Sequence, residues 1–399
     1  MLRAHVIRIY PSGEQERLMK RSCGVARKAY NEMLKIWESE YTAGRKPNWM
    51  KVQKAFVHRV DAEFPYMREV SCDVYYQPAR HLNTAFVGFL KGISEYPTLK
   101  KKGYGDSFKA CVAVHTDNHI TLSKIGDIRC SELPRFSGRI VSATITPIAD
   151  TWEASLLWET DDKPAYPKPT HSVLGIDLGV KTAITLSTGE KFEGPKPLKA
   201  NLKKLRRLNK SLSRKQKGSN RRELARITLS RLHRRIRNIR MDWCHKVTTK
   251  IANDTQVAVM EDLNTKGMLK NHSMARAISD IGFYEIKRQL TYKMKDRGRE
   301  LKFADRFFPS SRMCRKCGHI HEGLTLADRI FKCPLCGHTE DRDIHAAKNL
   351  ESITTTQAHW ESKGRGEAKA IGRRKTKRAS STKRQLELNV ELSTECQDR

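Results

Sequence analysis

The residues best suited to chemistry crowd into one stretch near the end of the chain, CRKCGHIHEGLTLADRIFKCPLCGHTEDRDIHAAKNL, from Cys314 to Leu350. Its four thiols, Cys314, Cys317, Cys333 and Cys336, form two Cys-x-x-Cys pairs separated by fifteen residues, the spacing of a zinc ribbon. Four thiolates close a tetrahedral shell and leave no position for water, so the expected ion is one structural Zn²⁺. His319, His321 and His338 stand near enough to replace a thiol, but surface histidines are the simpler reading. Seven residues past Cys336 comes Asp343, at the head of the helix-forming run HAAKNL.

Two further acids sit in comparable places. Asp177 follows Val-Leu-Gly-Ile and Glu261 follows Val-Ala-Val-Met, each at the end of an apolar strand. Each acid taken alone has a structural reading: Asp177 as a turn residue, Asp343 as a helix N-cap. An acid ending a buried strand is costly, however, unless a cation or a donor compensates it. Three acids, two ending buried strands and one heading a helix, suit phosphodiester hydrolysis. Carboxylates at neighbouring strand ends hold two Mg²⁺ (or Mn²⁺) ions about 3.5–4 Å apart, which activate the attacking water and steady the leaving oxygen.

The charge balance points to the same class of substrate. The 399 residues carry 77 Lys and Arg against 44 Asp and Glu, a formal net charge of +33. Solubility alone needs a net charge of only about 2–8. An excess this large opposes compaction unless a polyanion binds, and nucleic acid is the polyanion that such clustered Lys and Arg fit. An anionic membrane is the competing partner, but no apolar run approaches the roughly 20 residues that span a bilayer. The start of the chain lacks the apolar core of a signal peptide. The six other cysteines, at 23, 72, 111, 130, 244 and 396, have no motif spacing; they read as core residues or free thiols of a reducing compartment.

The elements that must position these residues are legible from periodicity. Residues 1–10 and 108–162 read as β-rich, with RIVSATITPIADTWEASLLWET as two strands about an Ala-Asp turn. Between them, 12–95 is helical, as in the stripe Leu18, Cys23, Ala26, Tyr30, Leu34 and Trp37. A Pro-rich link at 162–172 marks a boundary. Then Val173–Ile176 and Thr182–Leu186 read as a hairpin around Asp177. A helical pair follows at 198–253, broken near Gly218-Ser219-Asn220. It holds 17 basic residues between Lys199 and Arg240 and one acid, Glu223. Like charges at this density destabilise a helix in isolation, so Lys203, Lys204, Arg206, Arg207, Arg234 and Arg235 are candidate nucleic-acid contacts. The expected remainder is a strand ending at Glu261, a helix over 276–298, the strand LKFAD, the ribbon, and a disordered basic tail over 353–399.

The acid order Asp, Glu, Asp resembles the RuvC branch of the RNase H-like fold; cut-and-paste transposases more often run Asp, Asp, Glu. The whole set of motifs resembles TnpB (OrfB), the compact RNA-guided nuclease family of insertion sequences, related to type V CRISPR effectors. The resemblance rests on GIDLGVKTAITLSTG at 175–189, VMEDLN at 259–264, FFPSSRMCRKCG at 307–318 and CPLCGHTEDRDIHAAKNL at 333–350. RIYPSGEQ, CGVARKAYNEML and YPTLKKKGYGDSF are also family-like. It covers residues 1–352.

That resemblance implies a mixed α/β and β multidomain chain. An N-terminal β-barrel (wedge) domain would comprise 1–11 and 96–165, with a helical recognition insertion at 12–95. A RuvC/RNase H-like nuclease domain would comprise 170–308 and 340–352, with the zinc ribbon inserted at 309–339. Asp177, Glu261 and Asp343 fall on the catalytic, Mg²⁺-holding positions and the four cysteines on the zinc ligands. The implied partners are a guide RNA from the transposon end and double-stranded DNA bearing a short flanking motif, in the prokaryotic cytoplasm and nucleoid. Base pairing would read sequence while the protein reads shape and the flanking motif. Family members usually carry Asn two residues after the third acid. Here it is His345, which is expected to support the active site by donating to a metal-bound carboxylate or phosphate, and to titrate near neutrality. A cleavage-deficient guide-directed repressor would need none of the three acids, a strand-transferring transposase would need a different motif order, and a plain zinc-ribbon factor would leave the acids unexplained.

Overall fold

The computed structural model describes residues 1–110, 113–161, 164–325 and 327–363. The first strand, β1 (Leu2–Tyr10), alternates its side chains strictly, burying His5, Ile7 and Ile9 and exposing Leu2 and Val6. The chain then enters the 30-residue helix α1 (Gly13–Thr42) through a capping box. The Ser12 hydroxyl accepts from the Gln15 N–H at 3.3 Å, and the Gln15 amide oxygen accepts from the Ser12 N–H at 2.9 Å, satisfying two donors that the helix cannot. Three more helices, α2 (Trp49–Glu63), α3 (Cys72–Tyr76) and α4 (Pro78–Leu90), pack on α1. Trp37 of α1 stacks on Phe86 of α4 with centroids 4.4 Å apart.

After this helical segment come β2 (Phe108–Ala110), β3 (Ala113–Thr116), β4 (His119–Leu122), β5 (Gly126–Cys130), β6 (Arg139–Ile148) and β7 (Thr151–Glu159). Together with β1 they form a seven-stranded antiparallel sheet in the order β2-β6-β7-β1-β5-β4-β3. The predicted strand pair about Ala149-Asp150 is β6 and β7. Sheet and helices share one apolar core.

The second half is built on a different sheet: β8 (His171–Asp177), β9 (Ile184–Leu186), β10 (Lys191–Phe192), β11 (Thr255–Glu261) and β12 (Glu300–Ala304), in the order β10-β9-β8-β11-β12. β8, β11 and β12 run parallel, while β9 and β10 are antiparallel additions. Parallel strands must be covered on both faces. One face is covered by α6 (Asn220–Asp254), α8 (Ala275–Ile281) and α9 (Phe283–Asp296) over Leu174, Ile176 and Met260. The other is covered by α10 (Arg342–Lys363), whose Leu350 packs with Val259 and Ala304.

The basic helical pair is α5 (Pro197–Ser213) and α6, with the break where Gly218 adopts φ +85°. Leu205, Leu232 and Ile236 form its seam. The remaining elements are the short α7 (Thr265–Met268) and the ribbon hairpin β13 (Ile330–Lys332) and β14 (Thr339–Asp341).

Two expectations are corrected. The helix predicted over 276–298 is two helices, because Gly282 (φ +80°) is left-handed and closes α8 before α9 begins. The tail does not begin at 353, since α10 continues to Lys363; residues 364–399 lie outside the described part. No helix among the described residues is long and apolar enough to cross a membrane.

Candidate active site

β8 and β11 are hydrogen-bonded in parallel with Ile176 opposite Met260. The next residue on each strand is the acid, so Asp177 and Glu261 emerge side by side at the carboxyl edge of the sheet. The third acid arrives from above. Asp341 caps α10, its Oδ1 accepting from the N–H groups of Asp343 and Ile344 at 3.1 Å each. The capping role considered for Asp343 therefore belongs to Asp341, and Asp343 lines the cleft instead. All three acids line one wide cleft, together with Lys181, Arg312, Arg329 and Arg342.

The acids feel one another. Burial, then the charges of Glu261 and Asp343, push the Asp177 carboxyl up to about 8 from an ordinary 3.8. Arg342 opposes this and places Nη2 3.2 Å from Asp343 Oδ1. A cation among the three carboxylates would offset both the desolvation of Asp177 and the repulsion from its neighbours. The donor set is oxygen only, which suits Mg²⁺ or Mn²⁺. The acids are spread across the cleft and do not join the groups of ligand atoms, among the described residues, that all lie within 4.8 Å of one another.

The four cysteines do form such a group. Sγ of Cys314 lies 3.6 Å from that of Cys336, and Sγ of Cys317 lies 3.5 Å from that of Cys333. Tetrahedral Zn–S bonds of about 2.3 Å place sulfurs about 3.8 Å apart, so the residues fit a structural zinc. The two knuckles repeat one backbone design. Cys314 N–H donates to the His319 carbonyl and Cys333 N–H to the His338 carbonyl, both at 2.8 Å. Gly318 (φ +74°) and Gly337 (φ +69°) make the turn in each.

His345 is not at the acids. It lies two residues after Asp343, about 200° around the helix, and so faces the ribbon. Its buried ring stacks on Phe331 at 4.0 Å. Nε2 donates to the Met313 carbonyl at 2.8 Å, and Nδ1 lies 3.3 Å from Glu340 Oε2. Ala346 takes the cleft-lining position instead. Glu340 also pairs with Lys348, so the His338, Glu340 and His345 group already holds its own counter-charge.

Of the basic candidates, Lys203, Lys204, Arg206, Arg207 and Arg235 are exposed along the hairpin. Arg234 is not free in the same way. Its Nη1 bonds the Thr151 hydroxyl while Arg231 pairs with Asp150 at 2.7 Å, and both tie α6 to the β6–β7 turn. Sequence reasoning missed Ser310 and Arg342. Ser310 donates to Glu261 Oε1 at 2.5 Å. The available signals were the Asp-Arg-Asp run for Arg342 and, for Ser310, a Pro-Ser-Ser turn immediately ahead of the first zinc knuckle.

Family models match three segments: a probable transposase family (OrfB_IS605) at 155–272, a Cas12f1-like TNB domain at 283–350, and a helix-turn-helix domain at 1–46. In this structure the last segment is a strand followed by one long helix. A protein of Streptomyces pristinaespiralis named "Putative RNA-guided DNA endonuclease" is 35% identical over 87% of this chain and 88% of its own length. The chain belongs to the TnpB (OrfB) family. An Escherichia coli K12 relative named "Putative RNA-guided DNA endonuclease InsQ" is 31% identical over 88% of this chain and 91% of its own. The fold is similar to that of the protein in a Cas12f1–sgRNA–target DNA complex, with TM-score 0.54 and 14% identity, covering 88% of this chain and 98% of that one.

Proposed function

We propose that this TnpB-family chain is an RNA-guided DNA endonuclease that hydrolyses phosphodiester bonds at Asp177, Glu261 and Asp343. The observation that carries the reading is the placement of two acids on adjacent parallel strand ends, with a third on the helix that covers the same sheet. The strand order β10-β9-β8-β11-β12, with β9 antiparallel to β8, supports a RuvC/RNase H-like assignment. The seven-stranded antiparallel sheet and its helices would be the wedge and recognition parts, gripping a guide RNA from the transposon end and a short target-adjacent motif.

Divalent ions bound to the carboxylates would supply activation of the attacking water and stabilisation of the leaving 3′ oxygen. The chain's own residues do the rest. Asp177, Glu261 and Asp343 would hold such ions. Lys181, Arg312, Arg329 and Arg342 rim the cleft with positive charge and draw the scissile phosphate toward the acids. The exposed Lys and Arg of α5 and α6 follow a phosphate backbone by charge alone. Zn²⁺ at the four thiolates would fix the ribbon that leads into α10.

The test is to express the protein with its native locus, sequence the co-purifying RNA, and offer the complex a plasmid matching that RNA with Mg²⁺. A discrete RNA and cuts at its matching site are expected. RNA-directed binding without cleavage would favour a repressor, strand joining would favour a transposase, and the absence of a discrete RNA would overturn the guided reading.

A further inference from the structure

The segment between β12 and the ribbon passes directly beside Glu261. Ser310 lies in it, only 5% exposed, with its hydroxyl on Glu261 Oε1. An ionised carboxylate only accepts, so the hydroxyl is the donor. The backbone of this turn is held from the other side. Asn349 of α10, wholly buried, donates one amide hydrogen to the Ser310 carbonyl at 2.6 Å and the other to the Met313 carbonyl at 2.7 Å. His345, also fully buried, donates to the same Met313 carbonyl. Met313 immediately precedes the first zinc ligand, Cys314.

The helix that carries Asp343 therefore also fixes the turn whose hydroxyl holds Glu261. We propose that Ser310 is a positioning residue for Glu261, set in place by Asn349, and that it orients this carboxylate for divalent-metal binding. The proposal rests on the reading of Glu261 as a metal-holding acid. A glutamate has three rotatable bonds, and an anchored Oε1 leaves the other oxygen aimed without first having to lose that freedom. Donors that orient metal-bound carboxylates typically contribute about 10–100-fold in metal affinity or activity. The same link gives the ribbon a second use: the knuckle starting at Cys314 anchors the end of the turn that aims Glu261.

The test is Mn²⁺ binding to the full-length protein by isothermal titration calorimetry, with thermal melting of each variant alongside. Ser310→Ala is expected to weaken Mn²⁺ binding about 10-fold and Ser310→Thr to restore it. Ser310→Val and Ser310→Thr have the same shape and differ in the hydroxyl, so they separate lost orientation from lost packing if the Ala variant melts early. Glu261→Gln is the reference. If it weakens Mn²⁺ binding while Ser310→Ala and Ser310→Val bind as tightly as the parent, the positioning role is overturned. If Glu261→Gln itself binds Mn²⁺ normally, the underlying assignment of Glu261 is overturned instead.

Discussion

Gly175 of β8 and Ala347 of α10 touch backbone to backbone. A Cβ built on Gly175 would overlap the Ala347 carbonyl oxygen and come within 2.7 Å of the Glu351 nitrogen. No unusual φ is involved; the glycine is needed for space alone. This close approach sets the height of α10 over the sheet, and so sets Asp343, four residues before Ala347, against Asp177, two residues after Gly175. Gly175→Ala is expected to destabilise the fold by about 1–3 kcal/mol and to cut cleavage by about 100-fold, since a 1 Å displacement of one carboxylate suffices for such a loss. Urea unfolding and plasmid cleavage read the two effects. Full activity in the variant would show that the close approach does not set the site.

The ribbon is expected to act on catalysis through folding. Cys333→Ser removes one thiolate from a closed shell, and structural zinc affinity is folding free energy. The variant should lose zinc by metal analysis, melt earlier and cleave poorly. A zinc-free, folded and fully active variant would break the link between the ribbon and α10.

The exposed face of α5 should carry an electrostatic, sequence-independent share of binding. Replacing Lys203, Lys204, Arg206 and Arg207 by Gln is expected to flatten the dependence of log K on log salt by about 0.7–0.9 for each phosphate that is no longer neutralised. Fluorescence anisotropy across a salt series measures this, and an unchanged slope would move the nucleic acid to another face.

Lys293 offers a pH test of the core. Its ammonium is buried among the His245 carbonyl, the Thr248 and Thr249 hydroxyls and Gln289, with no carboxylate at hydrogen-bond distance among the described residues. Burial brings it down to about 8 from 10.5. Between those values the unfolded chain holds a proton that the folded chain has released, so this residue adds stability as pH rises from about 8 to 10.5. Denaturant midpoints at pH 7.5 and 9.5 should shift upward more in the parent than in Lys293→Met; equal shifts would refute the buried-lysine assignment.

The parts read correctly from sequence are those governed by local pattern. Val-Leu-Gly-Ile before Asp177 and Val-Ala-Val-Met before Glu261 could only be buried strands, and the Cys spacing marked both knuckles. What the sequence hid depends on geometry between distant residues. The start of α5 has no side-chain cap of its own; Asp280, some eighty residues later, accepts from the Leu198 and Lys199 N–H groups at 2.9 Å each. His345 was placed by its nearness in sequence to Asp343, and helical rotation turned it to the ribbon. The Pro-Ser-Ser turn marks Ser310 as a turn residue but not its role, because its partner, Glu261, is 49 residues away.

The shared-cleft assignment of Asp177, Glu261 and Asp343 is tested most directly by the cleavage rate of the guide-loaded protein carrying Asp177→Asn, Glu261→Gln or Asp343→Asn, at saturating Mg²⁺, with target binding measured in parallel. Each substitution is expected to leave target affinity within about twofold while lowering the rate by at least about 1,000-fold, the scale of a lost metal-held transition state. A single one of the three that cuts at the parental rate would contradict it.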